Sequence, residues 1–339
     1  MDHSNLHTPY SEANCDSSAA IMTFPQRDAV ARVPVPASGV IGPAYAAALQ
    51  SHLLQWGRSP DIYAVVFEVF AGQGTPAAQT EPAIPSADVL MLAWQIECMP
   101  KPFVALLDGP IAHPVIGMTS FVTHRVAAEN YRMQLPPADD RAATPAGGIA
   151  HTLGRVPAGR GREWALTGRA IGRAEAYAAG LITHCIPRSA FPAIIAALAE
   201  GRPVDPLLDG LHRDPAPDDD VPDDGATARC FAAGGIIEMS AALARETGRN
   251  VKWAQAAAQA LVGQSSFALA GLLRLLDVSR TLDRRESLIQ SHRLACGLAV
   301  ARDVRQATAT AAAIENLFAV PDNGDISLAQ RAEIANGRF

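Results

Sequence analysis

Several stretches of this sequence carry side chains whose type and spacing invite chemistry. His3 and His7 have the one-turn spacing that lets two imidazoles share a metal on a helix face, but they sit in a polar segment with no third ligand in view. No metal site is therefore expected. The run Asp214-Pro-Ala-Pro-Asp-Asp-Asp-Val-Pro-Asp-Asp-Gly225 crowds carboxylates as a calcium loop does, yet lacks the glycine and terminal glutamate at the required positions. It reads as a linker or exposed loop that holds no regular element. Ala71-Gly-Gln-Gly74 has the glycine content of a phosphate-cradling loop without its Gly-Lys-Ser/Thr ending or a dinucleotide fingerprint, so it reads as a turn. The five cysteines, Cys15, Cys98, Cys185, Cys230 and Cys296, are far apart and odd in number, which predicts reduced thiols in a reducing compartment. No Ser–His–Asp set is recognisable from spacing.

The elements that must position any site are clearer. The chain has 339 residues, 49% hydrophobic and 18% charged, enough for a large core in one to three domains. Its formal charge is -6, with arginines scattered singly, so neither nucleic acid nor an anionic membrane is an expected partner. No apolar run reaches the roughly 18 residues of a membrane span, and a soluble protein is expected. Residues 1–20 are polar and slightly acidic and read as a loose tail rather than a leader.

Apolar spacing predicts a helix over Gly42–Trp56, with Ala46, Leu49, Leu53 and Trp56 on one stripe. Tyr63–Phe67 reads as a buried strand, Ser86–Glu97 as a helix, and Phe103–Leu107 as a second buried strand closed by Asp108-Gly109. That alternation predicts an α/β domain with parallel strands and right-handed crossovers. Further helices are predicted over Glu163–Leu166, Arg173–Ala179, Ala190–Leu198, Ile236–Arg245, Trp253–Leu261, Ser266–Leu276 and Ser287–Ala301. The expected organisation is a tail over 1–20, an α/β core over 21–213, a linker over 214–225 and a helical module over 226–339.

Lys101-Pro-Phe-Val-Ala-Leu-Leu-Asp-Gly-Pro-Ile resembles the strand and turn leading to the second oxyanion motif of the enoyl-CoA hydratase/isomerase (crotonase) superfamily. Arg125-Val-Ala-Ala-Glu-Asn-Tyr-Arg-Met resembles the strand before its catalytic loop. Leu166-Thr-Gly-Arg-Ala-Ile-Gly-Arg-Ala-Glu-Ala-Tyr-Ala-Ala-Gly-Leu-Ile resembles its helix pair, and this is the most specific match. Arg229-Cys-Phe-Ala, Ser265-Ser-Phe-Ala-Leu and the helix around Arg293 are similar to words of the 3-hydroxyisobutyryl-CoA hydrolase branch. The resemblance spans roughly residues 20–320 and implies a ClpP/crotonase-like fold of stacked β-β-α units followed by a helical module.

The resemblance also implies a chemistry. Thioester chemistry in this superfamily passes through an oxyanion held by two backbone N–H groups. The first matching turn is Ala77-Ala-Gln-Thr80, which keeps a donor at Ala77, and the second is His113-Pro114-Val115, where Pro114 has no N–H to give. The thioester is expected between Ala77 and the turn from His113 to Gly117. The hydrolase branch places a glutamate where Pro137 stands and an aspartate where Pro145 stands, within the retained frame of Pro136 and Gly147-Gly148. Neither proline can act as a base.

Two readings follow. In one, His113 with Asp139 or Asp140 forms a rebuilt acid–base pair in an active acyl-CoA hydrolase or hydratase. In the other, His113 packs in a rebuilt turn, the aspartates are solvated, and the protein is a catalytically impaired partner subunit or acyl-CoA binder. Members of the superfamily have been recruited in this way, one of them to mitochondrial ribosomes. The resemblance names acyl-CoA as substrate or ligand and requires no cofactor. It also suggests assembly with itself or with other proteins, and a cytoplasmic or, in a eukaryote, mitochondrial-matrix setting. Arg160 and Arg162 are offered to a CoA phosphate, or else to the surface.

Overall fold

The computed structural model describes residues 24–35, 41, 43–70, 87–111, 115–136, 138, 148–218, 221–232, 234–300 and 311–318. In chain order the first elements are β1 (Gln26–Arg27), β2 (Val30–Pro34), α1 (Pro43–Arg58), β3 (Ala64–Phe70), α2 (Ala87–Glu97), β4 (Phe103–Asp108), β5 (Pro110–Ile111) and α3 (Val115–Thr119). Next come β6 (His124–Ala127), β7 (Arg132–Met133), α4 (Ile149–Leu153), α5 (Arg160–Thr167), α6 (Arg173–Ala178), β8 (His184–Cys185), α7 (Phe191–Ala199) and α8 (Val204–Leu211). Helices complete the chain: α9 (Asp224–Phe231), α10 (Ile236–Leu243), α11 (Val251–Val262), α12 (Ser266–Ser279), α13 (Arg284–Val300) and α14 (Ala311–Phe318).

The apolar runs of β3 and β4 belong to a sheet covered on both faces, the setting in which a strand needs no polar side. Six strands lie in the order β1-β2-β3-β4-β6-β8, parallel except for the β1–β2 pair. One face presents Val65, Phe67, Phe103, Ala105 and Leu107 to Leu49, Leu53, Leu92 and Ile96 of α1 and α2. The rings of Phe67 and Phe103 meet edge-on with centroids 4.6 Å apart. The other face presents Ala64, Val66, Val104, Leu106 and Val126 to Phe191, Ile194 and Leu198 of α7 and Leu208 of α8. Glu68 falls on this second face and is buried. It is tolerated because Arg32 of β2 donates to Glu68 Oε1 from Nε at 3.0 Å and Nη2 at 2.7 Å.

A second, two-stranded sheet is formed by β5 and β7. The sequences β4-β5-α3 and β6-β7-α4 are therefore two stacked β-β-α units, as the resemblance implied. The described part of the chain beyond residue 224 is helical, with α12 packed on α4 and α5, and α13 on α4 and α2. No single helix among the described residues is long and apolar enough to cross a membrane.

Several elements differ from expectation in extent. β3 runs on to Phe70, because the Arg32 pair lets the strand carry a glutamate through the core. The segment Arg125–Met133 holds two strands, β6 and β7, that belong to different sheets. The acidic stretch 214–225 was expected to hold no regular element, yet α9 begins at Asp224. The carbonyl of Asp223 accepts from Thr227 N at 2.9 Å, and its carboxylate is held by Arg249 and by Asn250 Nδ2 at 3.1 Å. Asp218 likewise turns inward and accepts from Glu175 N at 2.9 Å.

Candidate active site

The strands that lead into the predicted site segments end near one another. β3 and β4 end side by side, with Phe70 opposite Asp108. The chain then turns through Gly109, whose φ of 89° favours glycine, into β5, and β5 pairs with β7 through Ile111 opposite Met133. From these ends the chain enters 71–86, 112–114 and, by way of 134–138, 139–147. The segments nominated for the oxyanion donors and the acid–base groups thus leave strands that are neighbours or one turn apart.

His113, Pro114, Asp139, Asp140, Ala77, Pro137 and Pro145 themselves lie outside the described residues, as do His3, His7 and the Ala71–Gly74 turn. Gly117 is placed. It is buried inside α3, and its carbonyl accepts from Ser120 Oγ at 2.6 Å. Among the described residues no group of three His, Cys, Asp or Glu side chains is arranged to hold a metal ion.

The segment that leads to Pro137 is clamped on both sides. Met133 exchanges two backbone hydrogen bonds with Ile171, at 3.0 and 2.8 Å, and Gln134 Nε2 donates to Gly168 O at 2.9 Å. Leu135 and Ala138 are buried. Ala138 N donates to Gln264 Oε1, and Gln264 Nε2 donates in turn to Leu166 O at 2.7 Å and Ala260 O at 2.8 Å. One amide side chain just past the end of α11 therefore ties Ala138 to α5. Sequence reading missed Gln264, although a side-chain amide immediately before the Ser265-Ser-Phe-Ala-Leu word was the available signal.

The helix-pair motif builds the support for this clamp. α5 ends at Thr167, and Gly168, at φ 65°, reverses the chain so that Arg169 returns beneath the helix. Arg169 donates to Glu163 from Nε at 2.7 Å and Nη2 at 3.0 Å, and to Glu175 from Nη1 at 2.7 Å and Nη2 at 2.8 Å. Burial works against the Arg169 charge, but the hydrogen bonds to Glu175 and Glu163 outweigh it and raise its pKa above the usual arginine value. Glu163, fully buried, also accepts from Trp253 Nε1 at 3.2 Å, and Glu175 accepts from Arg160 Nη1 at 2.9 Å.

Arg160 and Arg162 do not stand free for a phosphate. Arg160 donates to Asp224 Oδ1 at 2.6 Å and Pro222 O at 3.0 Å, while Arg162 reaches Phe231 O at 3.2 Å and the carboxylate of Asp277. The start of α5 lies beneath α9 and α12, so both guanidiniums tie those helices to it.

A family model described as enoyl-CoA hydratase/isomerase matches residues 45–314. The chain is 28% identical to 3-hydroxyisobutyryl-CoA hydrolase 1 of Arabidopsis thaliana over 219 residues, covering 61% of this chain and 56% of that protein. It is 24% identical to small ribosomal subunit protein mS47 of Neurospora crassa over 291 residues, covering 75% of this chain and 57% of that protein. The chain thus spans little more than half the length of these curated relatives. A carnitinyl-CoA dehydratase from Mycobacterium thermoresistibile shares the fold, with a TM-score of 0.76 at 20% identity over 90% of this chain and 98% of that one.

Proposed function

Because the chain belongs to the enoyl-CoA hydratase/isomerase family, we propose that it is an acyl-CoA-binding relative of the 3-hydroxyisobutyryl-CoA hydrolases in which thioester hydrolysis is impaired. The observation that carries this reading is position 137. Leu135 and Ala138 are both buried, and Ala138 N is fixed by Gln264, so the frame around the position is held while its side chain is a proline. A carboxylate there would activate water, and proline cannot. Pro114 adds the loss of one oxyanion donor, worth roughly 2.7–4 kcal/mol of transition-state stabilisation, or a hundredfold or more in rate. Pro145 removes the second carboxylate.

Similarity to a ribosomal subunit protein supports service as a partner subunit within this reading. The competing reading is an active acyl-CoA hydrolase or hydratase that uses His113 with Asp139 or Asp140. It draws support from the paired strands β5 and β7, out of which the two segments leave. Calorimetric titration with CoA and 3-hydroxyisobutyryl-CoA, with thiol release followed by a chromogenic reagent, separates the readings. Binding with negligible thiol release is the expected result. Turnover that disappears in His113→Ala or Asp140→Asn would overturn the impaired reading. Absence of binding by either ligand would leave only the partner-subunit role.

A further inference from the structure

A cavity of about 70 Å³ lies where α3, α4, the end of β4 and the β5–β7 sheet meet. At roughly 10–15 Å³ per water it has room for about five waters, or for a carboxylate with two or three carbons. Its walls include Arg125, Arg284, Tyr131, Thr119, Thr152 and Ile116, an unusual set for so small a space.

Arg125 projects from β6 and is bound by backbone carbonyls alone among the described residues. It donates to Leu181 O at 2.8 Å, Val122 O at 2.6 Å and Gly180 O at 3.1 Å. These neutral acceptors fix the guanidinium but do not neutralise it. Arg284, at the start of α13, reaches Glu97 Oε2 at 2.9 Å and Ser120 O at 3.3 Å. Burial, and then the charge of Arg284, depress the Arg125 pKa, which marks two guanidiniums close enough to repel. Among the described residues, Glu97 is the one carboxylate that bears on both. Nearby His151, with its pKa lowered to about 4 by burial and by Arg155 and Arg284, is neutral at pH 7.

Tyr131 completes the lining. It is 3% exposed, and it lines the cavity. Burial raises its pKa, so the oxygen keeps its proton and can donate. A tyrosine hydroxyl in the same wall as two cations that share one described carboxylate suits an anion that accepts hydrogen bonds.

We propose that this cavity binds a small carboxylate, held by charge from Arg125 and Arg284 and by a hydrogen bond from Tyr131. The carboxylate is either the far end of a short acyl chain or a free short-chain acid. Ile111 and Ile116, both in the wall, flank residues 112–114 in sequence, the segment expected to meet the thioester. The acyl-chain source rests on the acyl-CoA reading, whereas the free-acid source does not.

The test is calorimetry on the full chain with propionate and its neutral amide, repeated in Tyr131→Phe and Arg284→Gln, with folding checked by circular dichroism. The acid should bind about ten- to hundredfold more tightly than the amide, and each variant should lose about tenfold in affinity for the acid. Equal affinity for acid and amide, no binding of the acid at about 50 mM, or folded variants that bind like the wild type would each overturn the proposal. Succinyl-CoA and butyryl-CoA then identify the source. Preference for succinyl-CoA that vanishes in Tyr131→Phe assigns the site to an acyl tail. Binding of the free acid without either thioester keeps the carboxylate site and refutes the acyl-CoA reading.

Discussion

Replacing Arg169 by methionine should be among the most damaging single changes outside the apolar core. Arg169→Met keeps most of the aliphatic volume and removes the cation. Glu163, with a fully buried side chain, then loses two of its three hydrogen bonds to side chains among the described residues and keeps Trp253 Nε1. Glu175 is less affected, because Arg160 still reaches it at 2.9 Å. Breaking a buried ion pair from one side costs about 3–5 kcal/mol. The Arg169 side chain is 24% exposed, so water can partly replace it, and the lower end of that range, about 3 kcal/mol, is expected. In urea at pH 7, with a slope of about 3 kcal/mol/M, the midpoint should fall by about 1 M. The second arm is Glu163→Gln in the same background, which removes the orphaned charge and should recover at least half of the loss. A cost below about 1 kcal/mol, or no recovery on adding Glu163→Gln, would refute the claim that charge compensation at Glu163 stabilises the helix pair.

Further outcomes follow from other contacts. A Cβ on Gly161 would lie 1.9 Å from Leu153 O and 2.7 Å from its carbonyl carbon, so Gly161→Ala must push α5 off α4 and cost about 3 kcal/mol or more in a urea titration. His151 titrates near 4 when folded against an ordinary 6.5, so the unfolded chain takes up the proton first and stability falls as pH drops from 6.5 to 4. Solvent screening limits this to about 1 kcal/mol, and His151→Gln should flatten the urea midpoint over that window. Gln264→Ala should leave Ala138 N without an acceptor at a cost of about 1–3 kcal/mol, seen as faster hydrogen exchange at Ala138 with no change at Phe67 in β3.

The parallel core was legible because its strands are covered on both faces, which leaves continuous runs such as Phe103–Leu107. The helix stripe of Ala46, Leu49, Leu53 and Trp56 was legible because every member is buried. β8, two residues long, and α4, with five, carry too little period to show in sequence. α9 was hidden by its acidic start, since nothing near Asp223 announces that Arg249 and Asn250 will neutralise and hold it from across the fold. The same reason conceals Gln264 and the partners of Arg160 and Arg162. Each has a partner more than sixty positions away, which pattern within a window cannot supply.

The Arg32–Glu68 pair bears on how the sheet finds its alignment. A buried ion pair in the correct arrangement is close to neutral against an apolar pair of equal size. Its effect lies in the wrong arrangements. Sliding β2 by one residue along β3 would turn Arg32 toward α1 and α2 and strand the carboxylate of Glu68 among Val66, Leu106 and Phe191, at a penalty of several kcal/mol. Parallel strands joined by long crossovers have no tight hairpin to set their frame, and in β2 and β3 all the other residues facing inward are apolar enough to fit either way. One charged pair therefore serves as a proofreading mark, distinguishing the native frame from its neighbours while the chain is still assembling.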